Sequence, residues 1–169
     1  MVETALEVAA DYPSIRFEQM DVDKLAMLLL RKPSHYQVIA ASSLFGNIIG
    51  DIAVELSGGL GMAATASIGE DFAVFSPYHG PAPRFSRQYK VNPIGAILSL
   101  SLLLEWCHCD EQAQSVNDAV AAVIDEGNSL PYELGGTATT LDVARAVVEE
   151  LPRSGEDIAK GLSALSLPW

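Results

Sequence analysis

Asn47 and Asp51 lie four residues apart in the stretch LFGNIIGDIAVELSGGLG, residues 44–61. In a helix that spacing stacks two side chains on one face, so an amide oxygen and a carboxylate could together hold one cation or one polar ligand. A second group is cationic. The chain has only ten Lys and Arg, and three of them, Arg84, Arg87 and Lys90, fall within seven residues of one another. Such a cluster in an acidic protein reads either as an anion clamp, since the Arg fork suits phosphate, or as solvated loop charge. A third group, Cys107-His108-Cys109, has ligand chemistry without ligand spacing. Tetrahedral metal sites combine two separated pairs, and no second Cys or His pair follows, so this reads as a reduced, partly buried helix end.

The elements that must position these groups alternate between helical and extended patterns. Residues 3–10 read as a short helix stopped at Asp11-Tyr12-Pro13, because proline disfavours helix at the residue before it. Residues 16–22 (RFEQMDV) alternate like a strand. Asp23 reads as the N-cap of a helix that ends at Pro33. Residues 37–41 (QVIAA) read as a short buried strand, and Ser42-Ser43 as a cap for a helix over 44–56 that Gly58-Gly59 terminates. Residues 72–75 (FAVF) read as a strand. The next stretch, SPYHGPAPRFSRQYKVNP, is a long loop punctuated by four prolines, and loops of that length tend to carry function. Pro93 opens a helix to about Trp106. Further helices are expected over 110–126 with Gly127 as the stop, over 141–151 after a glycine turn, and in a short segment after Ser154. Strands alternating with helices predict an α/β class.

Composition excludes several functions. The 169-residue chain is 49% hydrophobic, enough to bury a core. Its richest run, residues 94–106, is broken by Ser99, Ser101 and Glu105 and falls short of the roughly 18 apolar residues of a membrane span. A net charge of −12 argues against nucleic acid as a partner. The first residues carry no basic segment ahead of an apolar one, so no signal peptide is expected and a cytoplasmic location is.

Three segments, LFGNIIGDIAVELSGGLGMAATASIG, FSPYHGPAPRFSRQYKVNPIGAILSLSLLL and YELGGTATT, together resemble the C-terminal half of the β-decarboxylating dehydrogenases of isocitrate, isopropylmalate, homoisocitrate and tartrate. The order is the same over nearly the whole chain. The resemblance implies a truncated isopropylmalate-dehydrogenase-like fold with helices packed on a partial sheet. It divides the chain into a dimerisation and metal-helix lobe, residues 1–62, and the C-terminal part of a dinucleotide-binding domain, residues 63–169.

It also implies site residues. The family's metal helix carries Phe-Gly-Asp-Ile-Leu-Ser-Asp, whose two Asp bind Mg²⁺ or Mn²⁺; here they are Asn47 and Asp51. A third family ligand, donated across the dimer, matches Asp23. An amide oxygen can coordinate but brings no charge, so weakened or lost metal binding is expected. The loop resembles the adenosine-binding segment, with His79, Gly80, Ala82 and Asn92 around adenine and ribose. Where NAD-dependent members have Asp after Ala-Pro, Arg84 stands; with Phe85 and Lys90 it resembles the NADP-type version, in which a cation pairs with the 2′-phosphate. Ser76 replaces a family Glu, and Pro81 replaces a Ser or Thr, removing a backbone donor.

In family members the substrate-binding arginines and the catalytic Tyr and Lys precede the point matching Met1. The chain is therefore expected not to run oxidative decarboxylation alone. Lys24 is a substitute proton donor or a solvated helix-start lysine. Three readings follow. A repurposed relative would do non-redox chemistry, such as isomerisation, hydration or cyclisation, in the remnant cleft with His79, Asp51, Asn47 and Tyr78 and with no cofactor. An NADP-binding subunit would need a second chain for the other half. A regulatory relative would only dimerise or bind a small ligand. A homodimer is expected through the helices bearing Leu25, Leu28 and Leu29 and Ile48, Ile52 and Leu56, with an intrachain core as the alternative for those faces.

Overall fold

The computed structural model describes residues 2–152, so the helix expected after Ser154 lies outside the described residues. The chain divides into two compact units, Met1–Leu56 and Ser57–Trp169.

The first unit is helical. Its elements are α1 (Val2–Ala10), α2 (Val22–Arg31), a 3₁₀ turn (Pro33–His35) and α3 (Ser43–Leu56). α2 begins after Asp21, whose extended backbone (φ −73°, ψ 146°) makes it the N-cap, two residues before the expected Asp23. Asp23 instead occupies the first turn, where its charge complements the helix dipole. Lys32, next to Pro33, ends the helix. α2 packs on α3, yet among the described residues of this unit only Leu29 and Ile49 are buried, at 4% and 3% exposure.

The two strands expected here do not form. Residues 16–21 and 37–41 carry no ladder, and the sheet found among the described residues contains neither. A strand is stable only when its N–H and C=O groups meet a neighbour, and this unit presents none. Val38, expected to be buried, is 89% exposed. The alternation at 16–22 reflects local pairing instead. Arg16 contacts Glu18 in an exposed ion pair of small energetic weight, and the Tyr36 hydroxyl approaches the Met20 Sδ at 3.9 Å.

The second unit sets a hairpin on helices. β1 (Ala64–Ile68) pairs antiparallel with β2 (Ala73–Pro77), from Ala64 opposite Pro77 to Ile68 opposite Ala73. β1 escapes a reading of apolar runs because Ala-Thr-Ala-Ser-Ile is small and polar. The Gly-Glu-Asp between the two runs is the hairpin signal that marks it. The Gly69 amide closes the tip by donating to the Phe72 carbonyl at 2.9 Å.

Three helices complete the unit: α4 (Ile94–Trp106), α5 (Asp110–Glu126) and α6 (Thr140–Glu150). α4 lies between the hairpin and α5, which explains a sequence apolar all round, and α5 packs on α6. Ile94, Ala119, Val120, Val123, Val143 and Val147 form the core. The buried Ser101 hydroxyl donates to the Ala113 carbonyl at 3.2 Å, tying α4 to α5. Gly127, at φ 73°, ends α5 in the left-handed region as expected.

α6 starts with a reciprocal cap. The Thr139 hydroxyl accepts from the Asp142 amide at 3.3 Å, and Asp142 Oδ2 accepts from the Thr139 amide at 3.0 Å and from its hydroxyl at 2.6 Å. These bonds, the hydroxyl's first, hold the Asp142 carboxyl below its ordinary value. A folded-state value below the unfolded one means the carboxylate's contribution is complete above the unfolded value and is lost as pH falls through the lowered one. Amide exchange in the first turn of α6 should therefore accelerate on acidification beyond the intrinsic rate change. Asp142→Ala should abolish that extra acceleration.

Candidate dinucleotide loop and metal helix

The loop after β2 is anchored at its start by the Tyr78 amide, which donates to the Ala63 carbonyl at 2.9 Å. The half-buried His79 has Nδ1 3.0 Å from the Gly80 carbonyl oxygen. A carbonyl can only accept, so Nδ1 carries the proton and, in the neutral ring, Nε2 is an acceptor. Ser76 has its hydroxyl 3.2 Å from that of Thr65.

Beyond Gly80 the backbone is strained. Ala82, Arg87 and Tyr89 all have positive φ, at 42°, 64° and 51°. Each such non-glycine residue costs on the order of 1–3 kcal/mol, and strain of this kind clusters at functional sites. Two contacts from α6 hold the far end in place: the Thr140 amide donates to the Tyr89 carbonyl at 2.7 Å and its hydroxyl to the Val91 carbonyl at 2.6 Å. Gln88 Nε2 donates to the Arg84 carbonyl at 2.6 Å, closing the middle.

Tyr132 is the organising side chain, and its distance in sequence hides it from local reading. Phe85 packs against its ring at 5.9 Å between centroids, and Lys90 Nζ lies 4.8 Å above that ring in a cation–π contact. The Tyr132 hydroxyl donates to Glu133 Oε1 at 3.3 Å. Its pKa is raised, first by partial withdrawal from water and then by the Glu133 charge, with Arg84 opposing. Among the described residues no carboxylate forms an ion pair with Arg84, Arg87 or Lys90.

Of the residues expected around adenosine, His79, Gly80, Ala82, Arg84 and Lys90 lie on the exposed or half-exposed loop. Asn92 does not. It is 1% exposed; Oδ1 accepts from the Ile94 amide at 3.0 Å, and Nδ2 lies 3.4 Å from Glu133 Oε2 and 3.6 Å from Met62 Sδ. Its amide thus caps α4 and braces the floor beneath the loop.

Asn47 and Asp51 belong to the first unit, on α3, with Tyr78 and His79 in the second. Asn47 and Asp51 are exposed, one helical turn apart. Asp23 Oδ1 accepts from the Lys24 amide at 2.8 Å. Among the described residues no group of three or more His, Cys, Asp or Glu is placed to hold a metal ion. Two hard oxygens with one charge fit Mg²⁺ or Mn²⁺ only as part of an octahedral shell, so Asn47 and Asp51 would need donors beyond their own helix. Cys107 and Cys109 are free and half-buried around the turn between α4 and α5.

The second unit thus carries a hairpin and a strained cationic loop, and the first a helix with a polar face. Comparison with known proteins supplies the class: a family profile for isocitrate/isopropylmalate dehydrogenase matches residues 1–149. The chain belongs to that family. It is 41% identical over 150 residues to an isocitrate/homoisocitrate dehydrogenase of Thermus thermophilus, covering 89% of this chain and 45% of the relative. It is 37% identical over 145 residues to a 3-isopropylmalate dehydrogenase of Methanothermobacter thermautotrophicus, covering 86% and 44%. The fold superposes on the crystal structure of isocitrate dehydrogenase from Methylococcus capsulatus with a TM-score of 0.84 at 34% identity, over 88% of this chain and 44% of that one. The chain thus spans less than half the length of these relatives. No helix among the described residues is long and apolar enough to cross a membrane.

Proposed function

We propose that this chain is the part of an NADP-type β-decarboxylating dehydrogenase that carries the adenosine loop and the metal helix. It acts in an assembly with the segment or chain corresponding to the remainder of its relatives. The observation that carries this reading is that Arg84 and Lys90, the latter fixed over Tyr132, stand on one strained loop without carboxylate ion-pair partners among the described residues. An Asp there would suit the ribose hydroxyls of NAD, whereas these cations suit a 2′-phosphate. Titration should show saturable binding of NADP in preference to NAD. Arg84→Asp should weaken NADP by about 10- to 100-fold, the loss of one charge-assisted bond of roughly 1.5–3 kcal/mol. No heat with either nucleotide would remove the reading.

Assembly as a homodimer fits the same proposal. Of the faces expected to dimerise, Leu29 is buried within the unit, Leu25, Leu28 and Ile52 are half-buried, and Ile48 and Leu56 are exposed. Met27, Leu30, Leu44 and Phe45 add to the exposed apolar surface. Surface of that extent on two helices favours burial against a second copy. With Asp23 of that copy, Asn47 and Asp51 would complete a two-carboxylate metal site in the cytoplasm, where Cys107 and Cys109 stay reduced.

A second reading is favoured by Asn47, Ser76 and Pro81, which depart from the family's redox site. In it the scaffold performs non-redox chemistry with His79, Asp51, Asn47 and Tyr78 as its polar groups. Alanine at each would then abolish turnover of the true substrate without any response to NADP. A purely dimerising relative would show neither effect.

A further inference from the structure

The first unit holds a cationic cleft that the dehydrogenase reading does not use. A cavity of about 280 Å³ is lined by Arg16, Glu18, Lys24, Leu28, Lys32 and His35, with Met20 and Tyr36. Three of the chain's ten Lys and Arg therefore meet at one cavity, in a protein of net charge −12. One carboxylate, Glu18, faces them, and it is engaged with Arg16. Chance placement on so acidic a surface would surround these cations with carboxylates.

The arrangement has a shape. Lys24 and Leu28 share one stripe of α2, and Lys32 follows at the residue that ends the helix, so the two ammonium-bearing residues start about 12 Å apart with an apolar residue between them. Arg16 enters from the segment before the helix, and His35 and Tyr36 from the turn after it. The His35 and Tyr36 rings meet edge to face at 5.1 Å, giving that wall a fixed form. Of the exposed apolar residues of α2, Leu30 points well away from the stripe of Lys24 and Leu28, while Met27 lies about 60° from Lys24, at the edge of that stripe.

We propose that this cleft binds a small organic or inorganic polyanion with negative groups at both ends, a diphosphate or a di- or tricarboxylate. Lys24 and Lys32 hold the two ends, the paired Arg16 and Glu18 form one wall, and Leu28 and Met20 floor the middle. With the two backbones about 12 Å apart, a two-ended anion meets one extended lysine at each end, whereas a single phosphate must draw both side chains inward at a cost in side-chain freedom, and the cleft of about 280 Å³ is small for a folded dinucleotide. The site is separate from the adenosine loop, and its failure would leave the dehydrogenase reading untouched.

Isothermal titration of the full chain in low salt, with divalent cations chelated, tests it with pyrophosphate, tricarballylate and orthophosphate as probes. At least one two-ended anion should bind at least tenfold more tightly than orthophosphate, and which one binds tells phosphate from carboxylate ligands. Lys24→Gln with Lys32→Gln should weaken that binding tenfold or more, with far-UV circular dichroism unchanged. The double lysine change should weaken it to the same degree when Arg84→Gln and Arg87→Gln have removed the cations of the adenosine loop. Binding of neither two-ended anion, equal affinity for orthophosphate, or affinity that survives the double lysine change would overturn the proposal.

Discussion

Gly136→Ala should destabilise the second unit by about 3–5 kcal/mol, a third or more of a typical domain's stability. A Cβ at this position would stand 2.0 Å from the Leu130 carbonyl oxygen, 2.5 Å from its carbon and 2.6 Å from the Leu130 Cβ. Two of these neighbours are backbone and cannot swing aside. The Leu130 oxygen is also fixed by the Ala138 amide, which donates to it at 3.0 Å, and the Gly136 amide itself donates to the Pro131 carbonyl at 3.0 Å. Relief must come from opening the turn over residues 130–138. That turn carries Tyr132 and leads into Thr139 and Thr140, so the lesion should spread to the Lys90 contact and the loop's far anchor. Denaturant unfolding measures the loss, and faster exchange of the Thr140 amide reports its spread. Gly135→Ala is the control. Its neighbourhood is open and its φ is 82°, so it carries only the left-handed penalty of roughly 1–2 kcal/mol. If the two variants unfolded at the same denaturant concentration, close approach at Gly136 would not be the cause.

What was legible in the sequence follows the range of the forces involved. α4, α5 and α6 lie within a residue of their expected bounds because their limits are set locally, by Pro93, Gly127 and the Thr139 to Asp142 cap. The segments at 16–22 and 37–41 have strand-like patterns, but a strand is defined by its neighbour, and local alternation says nothing about whether one exists. Arg84, Arg87 and Lys90 were visible as a cluster by charge alone. That Arg87 and Tyr89 take left-handed backbone was not, because that conformation is normally announced by glycine or asparagine. Lys90 is fixed by an aromatic ring 42 positions away, and such pairing has no local signature. Family resemblance supplied the expectation that the loop meets adenosine and that α3 meets a metal. It also set Asn92 at adenosine, and local pattern gave no sign that this side chain would be 1% exposed.

Asn92 therefore separates a supporting role from a ligand contact, and its variants should show a large effect. Asn92→Ala removes the acceptor for the amide of Ile94, a residue with no exposure, and leaves that donor buried without a partner. An orphaned buried donor costs about 1–3 kcal/mol, and the vacated volume adds to it, giving an expected loss of about 2–4 kcal/mol. Asn92→Asp keeps an oxygen for Ile94 at the start of α4, where a negative charge suits the helix dipole. Its second oxygen, however, takes the place of Nδ2 at 3.4 Å from Glu133 Oε2, so two carboxylates face each other. Like charges so placed raise the pKa of one member. The sign follows from that shift. A folded-state value above the unfolded one means the penalty is present at neutral pH and disappears as pH falls through the raised value. Asn92→Asp should thus recover stability on mild acidification, while Asn92→Ala should not. Nucleotide titration completes the comparison. If Asn92 works by bracing the loop, Asn92→Asp should regain NADP affinity in step with stability as the pH is lowered. Loss of affinity in a variant whose unfolding midpoint has recovered would instead place the Asn92 amide in direct contact with the nucleotide.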